Sequence, residues 1–236
     1  MHATADLQSS GQAGGQAIGG YTDNASDSEL NMDRLLDGYH RFRGNQWIER
    51  RRQFEGLAEA GQQPRAMVVS CADSRVDPGM IFDAAPGELF VIRNVANIVP
   101  PYAPDGGYHG ASAALEFGVR VLKVSDLLVM GHGLCGGVRA LLEGVPPGEY
   151  DFIAPWISIA EPARVRALNC DDGVDRQLCC EHEVVKLSLE NLLSFPWIAE
   201  RVADGSLRLH GTHFDIRSGQ LSFLGADGQF AAVGAR

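Results

Sequence analysis

Three strand-sized apolar runs alternate with helical stretches through the middle of the chain, and this alternation restricts the fold more than any other feature. The runs are 66–70 (AMVVS), 89–92 (LFVI) and 126–130 (DLLVM), while helical spacing covers 111–123 and resumes at about Gly137. Short strands joined by helices predict an α/β fold: a central, mostly parallel β-sheet with helical crossovers. Ahead of the sheet, Leu35, Leu36, Tyr39 and Phe42 recur at helical spacing, and a second amphipathic stretch runs from Trp47 to about Ala60. Two N-terminal helices are therefore expected. Behind it, helices are expected over about 152–168 and 183–193, the latter from Val185, Leu189 and Leu192, so the C-terminal region reads as mainly helical. Segments 207–216 and 221–224 alternate around Arg217-Ser218-Gly219-Gln220, a hairpin signal able to extend a sheet edge.

Composition sets the bounds. At 236 residues and 45% hydrophobic, the chain can build one sizeable core. Residues 1–27 hold almost no large apolar side chain and read as a flexible tail, leaving 28–236 as a single catalytic domain. No apolar run approaches the roughly 18 residues that cross a bilayer. A net charge of -10 disfavours nucleic acid and anionic membrane surfaces as partners. Arg50, Arg51 and Arg52 do not change this, because Glu49 and Glu55 flank them on the same helix. The first 33 residues contain no Lys or Arg, so neither a secretory signal nor a transit peptide is expected, and the location expected is cytoplasmic. Five cysteines are odd in number and sparse, which predicts mostly reduced thiols rather than a disulfide scaffold.

Two strand ends carry the reactive residues. Cys71-Ala72-Asp73-Ser74-Arg75 follows the first run, and Gly131-His132-Gly133-Leu134-Cys135-Gly136-Gly137 follows the third. Ligands collect outside the carboxyl ends of parallel strands, so both loops can face one crevice. Cys71, His132 and Cys135 would supply two thiolates and an imidazole, a donor set suited to zinc (Zn2+), and three ligands leave a fourth position open for catalysis. Cys170, Cys179 and Cys180 read as buried small hydrophobes, and His40, His109, His182, His210 and His213 lack comparable company. Two competing readings are weaker. Gly131 to Gly136 matches the dinucleotide fingerprint G-x-G-x-x-G, but Asp151, at the expected offset for a ribose-binding acid, follows a Pro-Pro-Gly segment that cannot be a strand. A thiol hydrolase built on Cys71 or Cys135 with His132 would leave the other cysteine idle.

The motifs C-A-D-S-R, R-N-V-A-N (93–97) and G-H-x-x-C-G-G together make the chain resemble a β-class carbonic anhydrase. The resemblance runs from about Leu35 through Leu224 and includes 86–90 (PGELF), 112–117 (SAALEF) and 188–196 (SLENLLSFP) in register. It implies zinc on Cys71, His132 and Cys135, with Asp73 and Arg75 as the catalytic dyad. In one form of the family the aspartate leaves zinc open; in the other it swings in as a fourth ligand, so Asp73 is a metal ligand only if the site closes. The chain is similar to the first, plant-like form: Gln62 stands nine residues before Cys71, and Val99-Pro100-Pro101-Tyr102 follows the second motif. Val68 occupies the position where the bicarbonate-regulated form has tryptophan. Departures are Phe117 for the usual tyrosine, and Ala72 and Gly133 for commoner serines.

The function implied is reversible hydration of carbon dioxide to bicarbonate and a proton by a zinc-bound hydroxide. Phe90, Val95 and Phe117 fit apolar pocket walls and Gln62 a polar guide. In the family these come from both subunits, so a homodimer, or a higher oligomer built on dimers, is implied. Arg93 resembles a family arginine near the site, and pairing with an acid is its alternative role. Two thiolates and a neutral imidazole leave zinc without net charge, which predicts activity rising toward alkaline pH. Two other functions share the fold: hydrolysis of carbon disulfide or carbonyl sulfide, and a non-catalytic, zinc-stabilised oligomer.

Overall fold

Strand β1 (Ala66–Cys71) sits inside the sheet because it is apolar on both faces: Met67, Val68 and Val69 are each at most 1% exposed. The computed structural model describes residues 32–146, 148, 150–171 and 173–234, so the tail expected over 1–27 lies outside the described residues. Helices α1 (Met32–Gly44) and α2 (Gln46–Ala60) come first, as the spacing predicts. From β1 the chain passes through the short helix α3 (Pro78–Ile81) to β2 (Leu89–Asn94), parallel to β1 on one side. It then crosses through α4 (Gly110–Glu116) and a wide π turn (Phe117–Val121) to β3 (Asp126–His132), parallel to β1 on the other side.

Helix α5 (Gly136–Glu143) follows β3. The helix expected over 152–168 is two, α6 (Ile153–Ser158) and α7 (Glu161–Leu168), because Pro162 lacks the N–H a continuous helix needs and instead opens the second. Helix α8 (Arg176–Leu192) begins well before residue 183, where the Asp175 carboxylate accepts from the Gln177 amide at 2.9 Å. Helix α9 (Pro196–Ala203) leads into β4 (Arg208–Phe214), parallel to β3, and β5 (Leu221–Leu224) and β6 (Phe230–Ala232) complete the sheet antiparallel, in the order β2-β1-β3-β4-β5-β6.

Two expectations are refined. The C-terminal region is helical as expected through α7, α8 and α9, and the hairpin signal over 207–216 and 221–224 is met by β4 and β5, with β4 paired to β3 inside the sheet. β4 is buried through Gly211, Thr212 and His213, the last two with side chains hydrogen-bonded inside the fold. The cysteines are also less uniformly reduced than expected. Cys170 and Cys179 are joined as a disulfide, leaving Cys71, Cys135 and Cys180 free. The short connection between α7 and α8 folds Cys179 back against Cys170, a proximity that single-residue burial arguments do not register.

Core packing covers both faces of the sheet. On one side Ala160, Ala163, Ala167, Val184 and Leu187 pack with Val138 and Leu141; on the other Leu115, Val119, Phe195 and Ile198 pack with Val185 and Leu192. Helix α8 thus contributes to both layers. α1 and α2 contribute to neither, as no residue of either is buried.

Candidate metal centre

The chain leaves β1 toward β2 on one side, whereas β3 leads on toward β4 on the other, so neighbours β1 and β3 form the switch point of the sheet. Their carboxyl ends open a crevice there. Cys71 is the last residue of β1 and His132 the last of β3. Beyond His132 the chain turns sharply through Leu134 (φ 57°), and Gly137 lets α5 start flush against the Val95–Asn97 turn. A Cβ at Gly137 would come within 2.8 Å of the Val95 side chain.

This turn brings Cys135 back to the other two. Ligand atoms of Cys71, His132 and Cys135 all lie within 4.8 Å of one another, the Cys71 and Cys135 sulfurs 3.9 Å apart, and all three residues are buried. Two sulfurs at this separation do not both ionise unaided. The Cys135 thiol donates toward Cys71 and drives its pKa down, and the Cys71 thiolate drives Cys135 up. The amides of Val138 and Gly137, at the start of α5, counter that rise at Cys135.

His132 carries the clearest sign of a metal ligand. Its Nδ1 donates to Gly133 O at 2.9 Å, which fixes the tautomer, while its Nε2 is fully buried without any hydrogen-bond partner. An orphaned ring nitrogen facing two sulfurs fits zinc, whose preferred donors are these.

Asp73 lies just outside this cluster, its Oδ2 3.9 Å from His132 Nε2. Arg75 grips it in two places: Nε donates to Oδ1 at 2.9 Å and Nη2 to Oδ2 at 2.6 Å, while the Arg75 amide also reaches Oδ1. These bonds pull the Asp73 pKa down to about 2. The same Nη2 donates to Leu134 O at 3.0 Å, tying the dyad to the metal loop. Arg93 takes the structural role: it donates to Cys71 O, Asp73 O and Val76 O and pairs with Asp77 at 3.2 Å.

The pocket residues are placed differently. Phe90 and Phe117 rings lie 5.8 Å apart. Val95 lines an apolar groove of about 680 Å³ with Pro100, Tyr108 and Trp156. Gln62 is exposed on the loop between α2 and β1. Within one chain, the structure joins the three thiol and imidazole ligands with Asp73 and Arg75, and does not bring Gln62 to them.

Glu181 and Gln177, which the sequence reading passed over, reach the centre from α8. Glu181 Oε1 accepts from the Cys135 amide at 3.0 Å, and Gln177 Nε2 donates to Cys135 O at 3.0 Å. A signal existed: extending the Val185 and Leu189 stripe back one turn places an acidic residue, Glu181, on the apolar face.

Comparison with known proteins agrees with this geometry. The sequence model of the carbonic anhydrase family matches residues 66–221. The chain is 39% identical to β carbonic anhydrase 3 of Arabidopsis thaliana over 195 residues, which is 80% of this chain and 74% of the relative. Among solved structures it is similar to the β-carbonic anhydrase CcaA, with 33% identity and a TM-score of 0.80 over 87% of this chain and 93% of that one. It is also similar to a tetrameric β-carbonic anhydrase of Sordaria macrospora, with 27% identity and a TM-score of 0.73 over 87% of this chain and all of that one. By sequence and by fold, the chain belongs to the β-carbonic anhydrases, carbonate dehydratases of the lyase class.

Proposed function

We propose that this enzyme catalyses the zinc-dependent, reversible hydration of carbon dioxide to bicarbonate, with Cys71, His132 and Cys135 holding the metal and Asp73 outside the ligand set. The observation that carries this reading is the Arg75 clamp, which engages both oxygens of Asp73 at 2.9 and 2.6 Å. To reach the metal position, Asp73 would have to break those bonds. Bound zinc supplies the Lewis acidity that makes water nucleophilic near neutral pH.

The protein's own groups then position the reaction. Asp73, ionised throughout the working range, accepts the hydrogen of the nucleophile at Oδ2 and so directs its free lone pair toward carbon dioxide. Arg75 keeps that carboxylate aimed and charged. Phe90, Val95 and Phe117 would supply apolar walls for a small apolar substrate, and Gln62 a hydrogen bond to an oxygen of the product.

Val95 and Phe117 are 40% and 42% exposed in the single chain, which leaves the pocket half built. We propose that a second copy completes it, with α1 and α2 lying against the partner. Leu35, Leu36, Tyr39 and Ile48 are exposed on those helices, and the Sordaria relatives are tetrameric. A cytoplasmic dimer, or an assembly of dimers, is the form proposed.

Zinc content combined with stopped-flow hydration at pH 8.5 tests this reading. One zinc per chain and fast bicarbonate formation, abolished by chelation, are expected. Turnover of carbonyl sulfide or carbon disulfide in place of carbon dioxide would overturn the substrate; a metal whose removal alters only the assembly state would overturn the catalytic role.

A further inference from the structure

We infer that Glu181 is a positioning residue that locks the Cys135 peptide in place and thereby sets how tightly the chain holds its metal. The inference rests on the zinc reading above. Glu181 is only 2% exposed, on the face of α8 turned toward the sheet. A carboxylate is costly to bury unless its oxygens are all engaged. Here Oε1 accepts from the Cys135 amide at 3.0 Å and from Gln177 Nε2 at 2.8 Å, and Oε2 accepts from His213 Nε2 at 3.0 Å.

Gln177 closes a ring, because the same Nε2 also donates to Cys135 O. Both polar groups of the Cys135 backbone are thus bound to α8. The loop needs such an anchor. Leu134 sits immediately before it in the left-handed region (φ 57°), a conformation that persists only where the surroundings over-determine it, and α5, which opens at Gly136, holds Cys135 O through the Arg139 amide at 3.0 Å but leaves the Cys135 amide to Glu181. Without Glu181, the amide of Cys135, a residue 1% exposed, would be buried and unpaired, and the loop would relax. Cys135 Sγ would then leave the common centre it shares with Cys71 and His132.

His213 supplies the contrast. It donates to the other oxygen of Glu181 and packs edge-on to His182 at 4.7 Å, so its hydrogen bond supports α8 and not the Cys135 peptide.

Chelator competition on the purified zinc enzyme, with visible absorption of the cobalt-substituted protein, tests the assignment independently of turnover. Glu181→Ala is expected to weaken zinc binding about 10–100-fold and to shift the thiolate-to-cobalt bands. Glu181→Gln, which keeps an acceptor for the Cys135 amide, should bind within about threefold of the parent, as should His213→Gln despite a lower melting temperature. If Glu181→Ala holds zinc as tightly as the parent, or His213→Gln loses as much affinity, the assignment is wrong. Should Glu181→Ala fail to fold, Gln177→Ala decides: weaker zinc binding supports the lock, unchanged binding overturns it. A parent protein that takes up no zinc would defeat the functional reading instead.

Discussion

Two arginines hold the segment after β1, and they hold different atoms of it. Among the described residues the Arg75 side chain bonds only the Asp73 carboxylate and Leu134 O, so its removal frees a carboxylate beside the proposed metal ligands without unpairing β1. Arg75→Ala should therefore lower carbon dioxide hydration by about 100-fold or more while zinc content stays near that of the parent, as stopped-flow and metal analysis will show. Arg93 instead saturates three backbone carbonyls, those of Cys71, Asp73 and Val76. Arg93→Ala should cost about 2–4 kcal/mol in urea unfolding, and zinc should be lost together with the fold. Sequence resemblance placed both arginines near the site; it could not separate them, because the separation lies in which oxygen each guanidinium reaches.

Helix α8 links sheet, metal loop and C-terminal strands, and its packing tolerates little change. Gly131 of β3 meets it closely: a Cβ there would stand 2.7 Å from the Val185 side chain, itself fully buried. Gly131→Ala should destabilise by about 1–3 kcal/mol, seen as a lower urea midpoint with unchanged slope. The Cys170–Cys179 disulfide ties the first turns of α8 to the end of α7 across a separation of nine residues. Reduction should lower stability by at most about 3 kcal/mol on the chain-entropy estimate, and thiol titration before and after denaturation will show whether two further thiols appear with reductant. Hydropathy marks Glu181 as an acid on the apolar stripe of α8 but not its partners Cys135 and His213, which come from other elements, and the disulfide depends on a turn rather than on a spacing rule.

At the scale of the molecule, pH acts on stability through groups of opposite character. His182 is stacked on Phe230 at 4.0 Å, and burial, with the nearby His213 and Lys186, pushes its pKa down to about 3. The unfolded chain binds this proton at about 6.5, so stability is complete above that pH and falls as pH drops from there toward 3. Asp73, held at about 2 by Arg75, and Asp126, held low by Arg208 and His210, are also depressed. Their contribution is present above about 4 and lost below it. The melting temperature should be level between pH 7 and 8 and decline below 6.5; His182→Phe should flatten the decline between 6.5 and 4 and leave the acid limb intact. The exposed apolar faces of α1 and α2 predict a second whole-molecule behaviour: Leu35→Asp with Leu36→Asp should shift the protein toward monomer in sedimentation and depress hydration, since the proposed pocket needs both copies. The sequence by itself determined the crossover sheet, the two N-terminal helices and the chemical identity of the thiol and imidazole ligands, because each depends on local periodicity or on residues a few positions apart at strand ends. Only the tertiary structure decided that Asp73 is clamped outside the cluster, that β4 is an interior strand and that Glu181 grips Cys135 across 46 residues. The last two rest on hydrogen bonds between groups far apart in sequence, whose partners are chosen by how the layers pack, while the Asp73–Arg75 pair is local and only its orientation relative to the cluster needed the fold.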